Sequence, residues 1–341
     1  LNKKYSRIFF SGISSDSSKV RKNDIFFAIK GNKVDGNKYI SVAIKKGAKI
    51  IISNNKKIKK KEKIVFLHSS NVRKILAEVS YKILDKKPKK LVAVTGTNGK
   101  SSVADFYYQI LNLNSKRVAS IGTIGIRYNG KKKFLANTTL DPVQLSSILK
   151  VLKKKKIEYV IMEASSHGLK QNRLDGLIFD TGIFTNLSHE HLDYHKNMKN
   201  YLKSKLYLFE KLIKKNGNII TDVNLPQIKQ IKSISLKNKI NLSLIFNKKK
   251  GIELVSHKFF NEKQILVIRF NNRKYKIELN LIGKIQIKNI LMSILAANKS
   301  GLEFKKIIDV MKKVRPVEGR LEKIGEIKNK SKVILDYAHT P

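Results

Sequence analysis

Short apolar runs separated by amphipathic stretches set the pattern of this chain. In the first 88 residues, strand-length runs at 24–29, 49–53 and 64–68 alternate with segments at 38–46 and 72–84 whose apolar positions recur at helical spacing. This alternation predicts a small α/β domain. The pair Lys87-Pro88, followed by two more lysines, reads as a linker, because the residue before a proline avoids helix.

From Leu91 the alternation repeats on a larger scale. A buried strand Leu-Val-Ala-Val-Thr-Gly leads into a glycine-rich turn and a helix from Lys100; a strand at 117–121, a helix at 142–154 and a strand at 159–163 follow. Such a series predicts a mostly parallel sheet covered by helices on both faces, with ligands beyond the carboxyl ends of its strands. Residues 251–281 alternate instead around an Asn271-Asn272 turn, which predicts a small antiparallel addition. Two helices, 284–299 and 304–313, precede a final strand. The expected boundaries are 1–88, 89–322 and 323–341. The chain begins with Leu and stops at Thr340-Pro341 directly after a strand-like run, so it reads as a fragment of a longer protein.

Composition changes this picture little. With 341 residues and 41% hydrophobic content the chain can bury two cores. No apolar run approaches the roughly 18 residues of a membrane span, and the N-terminus lacks a secretory h-region. A soluble, cytoplasmic protein without membrane contact is expected, with a monomer as the default. The absence of cysteine excludes disulfides, thiolate metal sites and a cysteine nucleophile. A formal charge of +47 would ordinarily point to nucleic acid. Here lysine is spread along the chain beside Ile and Asn while Arg is scarce, so the runs at 56–61 and 153–156 read as solvated faces, and no nucleic-acid partner is expected.

The strongest chemical signal is Val94-Thr95-Gly96-Thr97-Asn98-Gly99-Lys100-Ser101-Ser102 between an apolar strand and a helix. Glycines let the backbone wrap phosphate oxygens, a helix N-terminus adds N–H donors, and a lysine neutralises β/γ-phosphates. Ser101 is the expected Mg²⁺ hydroxyl. The common form of this loop would put its first glycine at Val94, so this is a variant beginning at Gly96. Glu163, a carboxylate ending an apolar strand, is suited to hold Mg²⁺. His189, His191 and His195 crowd one segment, but their spacing matches no common structural zinc pattern.

Gly-Thr-Asn-Gly-Lys-Ser-Ser resembles the loop of the Mur ligases and folylpolyglutamate synthases, and the remaining motifs resemble the Mur ligases in order. Ser14-Ser15-Asp16-Ser17-Ser18 and Gly31-Asn32-Lys33-Val34-Asp35-Gly36 are similar to their N-terminal UDP-binding domain, which the folylpolyglutamate synthases lack. Ser18 stands where the family often has Arg. Asn137-Thr138-Thr139-Leu140-Asp141-Pro142 and Met162-Glu163-Ala164-Ser165-Ser166-His167-Gly168-Leu169-Lys170-Gln171-Asn172-Arg173 resemble the ligases that add a third residue to UDP-MurNAc-L-Ala-D-Glu. Thr185-Asn186-Leu187-Ser188-His189-Glu190-His191-Leu192-Asp193-Tyr194-His195 follows, with Glu190 replacing a usual Asp. Tyr201-Leu202-Lys203-Ser204-Lys205-Leu206-Tyr207-Leu208-Phe209 is similar to the helix that carries a carbamylated lysine.

The resemblance implies a small UDP-muramyl-substrate-binding α/β domain (1–88), a central P-loop NTPase-like ATPase domain (89–322), and a linker at 323–341 leading to a Rossmann-like domain absent from this sequence. It implies ATP and Mg²⁺, and as partners UDP-MurNAc-L-Ala-D-Glu and a diamino acid, diaminopimelate or L-lysine. ATP would meet Gly96, Thr97, Asn98, Gly99, Lys100, Ser101, Ser102, Asp336 and His339. The muramyl peptide would meet Ser15, Ser17, Asn32, Lys33, Val34, Asn137, Thr138, Thr139, Ser165, Gln171 and Arg173. Lys100, Glu163, His191 and carbamylated Lys205 would carry the chemistry, the last three joining Ser101 as metal ligands.

Overall fold

A computed structural model describes residues 9–31, 34–56, 63–84, 87–260, 263–328 and 331–337. The chain forms two compact units. One holds the chain up to Asp85 together with Asp141–Ile148 and Gln171–Leu177; the other holds Lys86–Leu140, Leu149–Lys170 and Ile178 onward.

The first unit is built on a parallel sheet of β1 (Ile13–Ser14), β2 (Ile25–Ala28), β3 (Ile50–Ser53) and β4 (Val65–His68), in that order. Every position of β2 and β3 is buried, and alternate residues serve opposite faces. Phe26, Ala28 and Ile51 pack with Ile40 and Ala43 of the helix Ile40–Lys45. Ile25, Phe27, Ile50 and Ile52 pack with Val72 and Leu76 of the helix Val72–Lys82. The two later segments are tied into this unit: Tyr81 donates to the Arg173 carbonyl at 2.7 Å, and Val143 packs on the second cluster.

The second unit is organised by one 11-stranded sheet. Its strands are β5 (Lys90–Thr95), β6 (Val118–Gly122), β7 (Gly125–Tyr128), β8 (Lys131–Lys133), β9 (Tyr159–Glu163), β10 (Phe179–Phe184), β11 (Ile213–Asp222), β12 (Asn241–Ile245), β13 (Gly251–Phe260), β14 (Lys263–Phe270) and β15 (Arg273–Leu279). The spatial order is β15-β14-β13-β12-β11-β10-β5-β9-β6-β7-β8. From β6 to β13 neighbours run parallel, whereas β13–β15 and β6–β8 pair antiparallel. The expected antiparallel addition therefore extends the main sheet. The hairpin at the opposite edge was not anticipated, although its Asn129-Gly130 turn, with φ of +47° and +71°, carries the usual two-residue signal. A separate antiparallel pair, β16 (Glu322–Ile327) and β17 (Ser331–Leu335), follows the helices.

This order positions the site. The chain leaves β5 through the helix Lys100–Leu113 and reaches β6 with β9 lying between, while β10 flanks β5 on its other side. The carboxyl ends of β9, β5 and β10 thus lie side by side at a point where the strand order reverses, where open α/β sheets hold ligands. The helix Ile285–Lys299 packs against Lys100–Leu113 in the same core, and Ser293 donates to the Val103 carbonyl at 3.0 Å.

Ile294, fully buried between these helices and the sheet, is a sensitive probe of that core. Ile294→Ala is expected to lower unfolding free energy by about 2–5 kcal/mol, read from urea denaturation. A loss below about 0.5 kcal/mol would place this helix outside the folded core.

Candidate functional site

The loop after β5 is fixed by glycines and by the segment after β10. Gly96 has φ +150°, and a Cβ there would overlap Thr185 Oγ. Gly99 has φ +83°, and a Cβ would come within 2.5 Å of Asn289 Oδ1. Glycine is therefore required at both positions by conformation and by space. Thr185 Oγ donates to the Asn98 carbonyl at 2.6 Å; the Asn98 N–H donates to Asn186 Oδ1 at 2.9 Å and the Thr97 N–H to the Asn186 carbonyl at 3.0 Å. Thr97 Oγ accepts from Ser188 N–H at 3.0 Å and lies 3.2 Å from the Tyr201 hydroxyl. The helix that follows opens at Lys100, so the amides of Lys100, Ser101 and Ser102 belong to the first turn, which has no intrahelical acceptors.

Two lysines converge on the base of this loop. Lys100 Nζ donates to the carbonyls of Gly96 at 3.0 Å and Thr97 at 2.6 Å, and Lys205 Nζ donates to the Gly96 carbonyl at 2.6 Å. Lys205 is 1% exposed and lies 4.3 Å from the centre of the Tyr201 ring. Burial holds the Lys100 ammonium below its usual range, opposed by Glu163 and Glu190. Burial pushes Lys205 well below the lysine range, and the Lys100 charge adds to the effect.

Carboxylates and imidazoles stand on the facing walls. Buried Glu163, the last residue of β9, accepts from the Thr123 N–H at 2.8 Å and the Thr123 hydroxyl at 3.2 Å. Glu190 accepts from Tyr201 at 3.2 Å and lies 3.4 Å from His191 Nε2. His191 has a left-handed backbone with φ +53°, uncommon for a non-glycine residue. His167 brings its ring to 4.8 Å from His191 and 5.5 Å from His195, so the histidines gathered in space are 167, 191 and 195, while His189 is exposed. His195 is fully buried; Nε2 lies 3.0 Å from Ser166 Oγ, and Nδ1 has no hydrogen-bond partner among the described residues. Burial, then the charges of Lys170 and the neighbouring histidines and Lys205, push its pKa down to about 4.

One cavity of about 580 Å³ collects most of the expected second-unit residues. Thr97, Asn98, Gly99, Lys100, Ser101 and Ser102 line it with Glu163, His191 and Lys205, as do Thr138, Ser165 and Asp336. Thr139 lies behind this wall, its Oγ 3.0 Å from the Glu163 carbonyl and 3.0 Å from Ser165 Oγ, accepting from Ser165 N–H at 2.9 Å. Gly96 and Asn137 are not on the wall. Asp336 accepts from Leu321 N–H at 3.2 Å. His339, Asn32 and Lys33 lie outside the described residues.

In the first unit, Ser15 and Ser17 are half-buried in a turn where Asp16 accepts from the Ser18 N–H and hydroxyl at 2.9 and 2.7 Å, so Ser18 serves as a turn residue. Val34 is exposed, and Gln171 accepts two bonds from the Arg173 guanidinium at 3.1 and 2.8 Å. The motifs assigned no site role to Thr123, Gln286, Asn289 or Arg320, which also line the cavity. The helix bearing Gln286 and Asn289 is separated from the loop by most of the unit's sequence, and polar residues on an otherwise buried helix were the available signal.

The chain matches the Mur ligase middle domain over residues 94–297 and the Mur ligase family, catalytic domain, over residues 10–87. It is 37% identical over 334 residues to the UDP-N-acetylmuramoyl-L-alanyl-D-glutamate–2,6-diaminopimelate ligase of Rickettsia montanensis, covering 97% of this chain and 68% of that protein. A solved structure of a ligase of the same name superposes with TM-score 0.86 at 25% identity, over 100% of this chain and 69% of the other. A MurF ligase from Thermotoga maritima in complex with ADP has the same fold, with TM-score 0.62 at 18% identity over 94% of this chain and 70% of the other.

His195 gives the site a pH dependence. The folded state binds its proton only near pH 4, whereas the unfolded histidine binds it from about 6.5. The stability linked to neutral His195 is therefore complete above the unfolded value and is lost as pH falls toward the folded one. His195→Gln, which keeps a polar group able to bond Ser166, should flatten the dependence of the urea midpoint on pH in that window. An unchanged slope would remove His195 as its source.

Proposed function

We propose, from the premise that this chain belongs to the Mur ligase family, that it is an ATP-dependent ligase joining 2,6-diaminopimelate to UDP-MurNAc-L-Ala-D-Glu. In this reading the free side-chain carboxylate of the D-Glu residue takes the γ-phosphoryl group of ATP and ADP leaves. The amine of the diamino acid then attacks the acyl carbon, loses a proton and expels phosphate, leaving an amide. Phosphoryl transfer depends chiefly on positioning and charge neutralisation, and each residue has a role of that kind.

Lys100 and the amides of the first helical turn hold the triphosphate, Lys100 exchanging its loop carbonyls for phosphate oxygens. Thr185 and Asn186 keep the loop open by engaging its inner backbone groups. Asp336 lies on the cavity wall where a nucleoside would be met. Thr138 and Ser165 are the candidates for the muramyl peptide on the cavity wall, with Thr139 bonded behind Ser165, and Gln171, Arg173, Ser15, Ser17 and Val34 are the candidates within the first unit.

Magnesium suits the donors of the cavity: Ser101 offers a hydroxyl, Glu163 a carboxylate and His191 an imidazole. No group of three or more His, Asp or Glu among the described residues could hold a metal alone, which suits an ion completed by phosphate oxygens and water. When bound, it would neutralise phosphate charge. Lys205 is suited to carbamylation because burial, with the Lys100 charge, lowers the cost of giving up its proton and freeing a nucleophilic amine, and the resulting carbamate would be an anionic oxygen donor. No described helix is long and apolar enough to cross a membrane, and we assign the work to the cytoplasm.

The observation that carries this reading is the common cavity of Lys100, Ser101, Glu163, His191 and Lys205, delivered by three neighbouring strand ends. Phosphate release should require ATP, UDP-MurNAc-L-Ala-D-Glu and diaminopimelate together. Lys100→Ala should reduce it by about three orders of magnitude or more. Release at the same rate without the muramyl acceptor, or an unimpaired Lys100→Ala variant, would refute the assignment.

A further inference from the structure

The turn after β6 is shaped around the Glu163 carboxylate. Thr123 commits both its donors there, the N–H to Oε1 at 2.8 Å and the hydroxyl to Oε2 at 3.2 Å. The preceding Gly122 makes the approach possible, because a Cβ at that position would overlap Oε1. Beyond Thr123 the hydroxyl of Thr138 lies 3.0 Å from Thr123 Oγ. A hydroxyl has a single proton. With the Thr123 proton directed at Glu163, the Thr138 proton points to Thr123, and the bonds run one way from Thr138 through Thr123 to the carboxylate.

That direction has a chemical consequence at each end. At the inner end both carboxylate oxygens are oriented, with lone pairs left for a cation. At the outer end Thr138, on the cavity wall, retains only acceptor capacity, which matches the N–H of a peptide amide. The same oxygen positions also allow the reverse run, in which Thr123 donates to Thr138 and leaves Oε2 without that donor. A peptide N–H at Thr138 selects the inward run, which is also the one that holds both Glu163 oxygens oriented for a cation, so the two sites favour each other.

We propose that Thr123 is a positioning residue that couples cation binding at Glu163 to occupancy of Thr138 by the muramyl peptide. The inference rests on the ligase reading, which supplies both ligands, and adds to it a linkage and the residue that transmits it. Thr123 is exposed on the cavity side, so its replacement leaves the buried core intact. Thr123→Val removes the hydroxyl while keeping the N–H bond to Oε1, and Thr123→Ser restores the hydroxyl.

The test is Mn²⁺ binding, followed by electron paramagnetic resonance, to the whole chain with a non-hydrolysable ATP analogue, with and without UDP-MurNAc-L-Ala-D-Glu. The muramyl dipeptide should raise Mn²⁺ affinity about fivefold or more in the unaltered protein. The enhancement should vanish in Thr123→Val and return in Thr123→Ser. Full enhancement in Thr123→Val, or none in the unaltered protein, overturns the coupling while leaving the ligase reading in place. Mn²⁺ affinity that is unchanged by Glu163→Gln overturns the cation site itself, and the coupling with it.

Discussion

The carbonyl oxygen of Gly96 accepts hydrogen bonds from two lysines, Lys100 on the cavity wall and Lys205 buried from water. Two ammonium groups on one acceptor repel each other, and burial makes each costlier to charge. The arrangement persists because the loop is held from elsewhere, by Thr185 and Asn186 at the end of β10 and by the packing of Lys205 against Tyr201. In the proposed reading a triphosphate would relieve the repulsion from one side, and an anionic adduct on Lys205 would relieve it from the other. An excess of positive charge at the base of the loop is what an anionic ligand would offset.

The fold serves this one point. β9, β5 and β10 end beside one another, so Glu163, the Gly96–Ser101 turn and the Thr185–His191 segment need no long loop to meet. Hydroxyls then tie the walls together: Thr97 to Tyr201 and Ser188, Tyr201 to Glu190, Thr139 to Ser165. All but the Tyr201–Glu190 bond join residues at least 26 positions apart. The glycine-rich turn after β5 and the wall of Thr138 and Ser165 thereby face one cavity within the second unit.

Much of this was legible in the sequence where chemistry and local structure coincide. The strand, glycine turn and helix around Lys100 are contiguous, and the helix Pro142–Lys154 and strand Tyr159–Glu163 lie where periodicity put them. Less legible was β11, where Lys-Lys-Asn-Gly after Ile213 is polar and bulged with Asn216 at φ +60°, so no apolar run marks its first half. Thr123 and Asn289 carry no motif of their own; only the tertiary fold brings them to Glu163 and Gly99. The histidine segment carried no zinc spacing in sequence, and the fold adds to it His167 from another segment, whose ring lies near those of His191 and His195.

The most direct measurement concerns protons. If burial and mutual repulsion keep the two lysines short of full protonation, then binding a polyanion restores the missing charge and draws protons from solution. Calorimetric titration of ATP at about pH 8 in carbon-dioxide-free buffers of differing ionisation enthalpy should show net proton uptake, diminished in Lys205→Met. Binding without uptake, or the same uptake in both proteins, would contradict a charge-deficient lysine pair at the base of the loop.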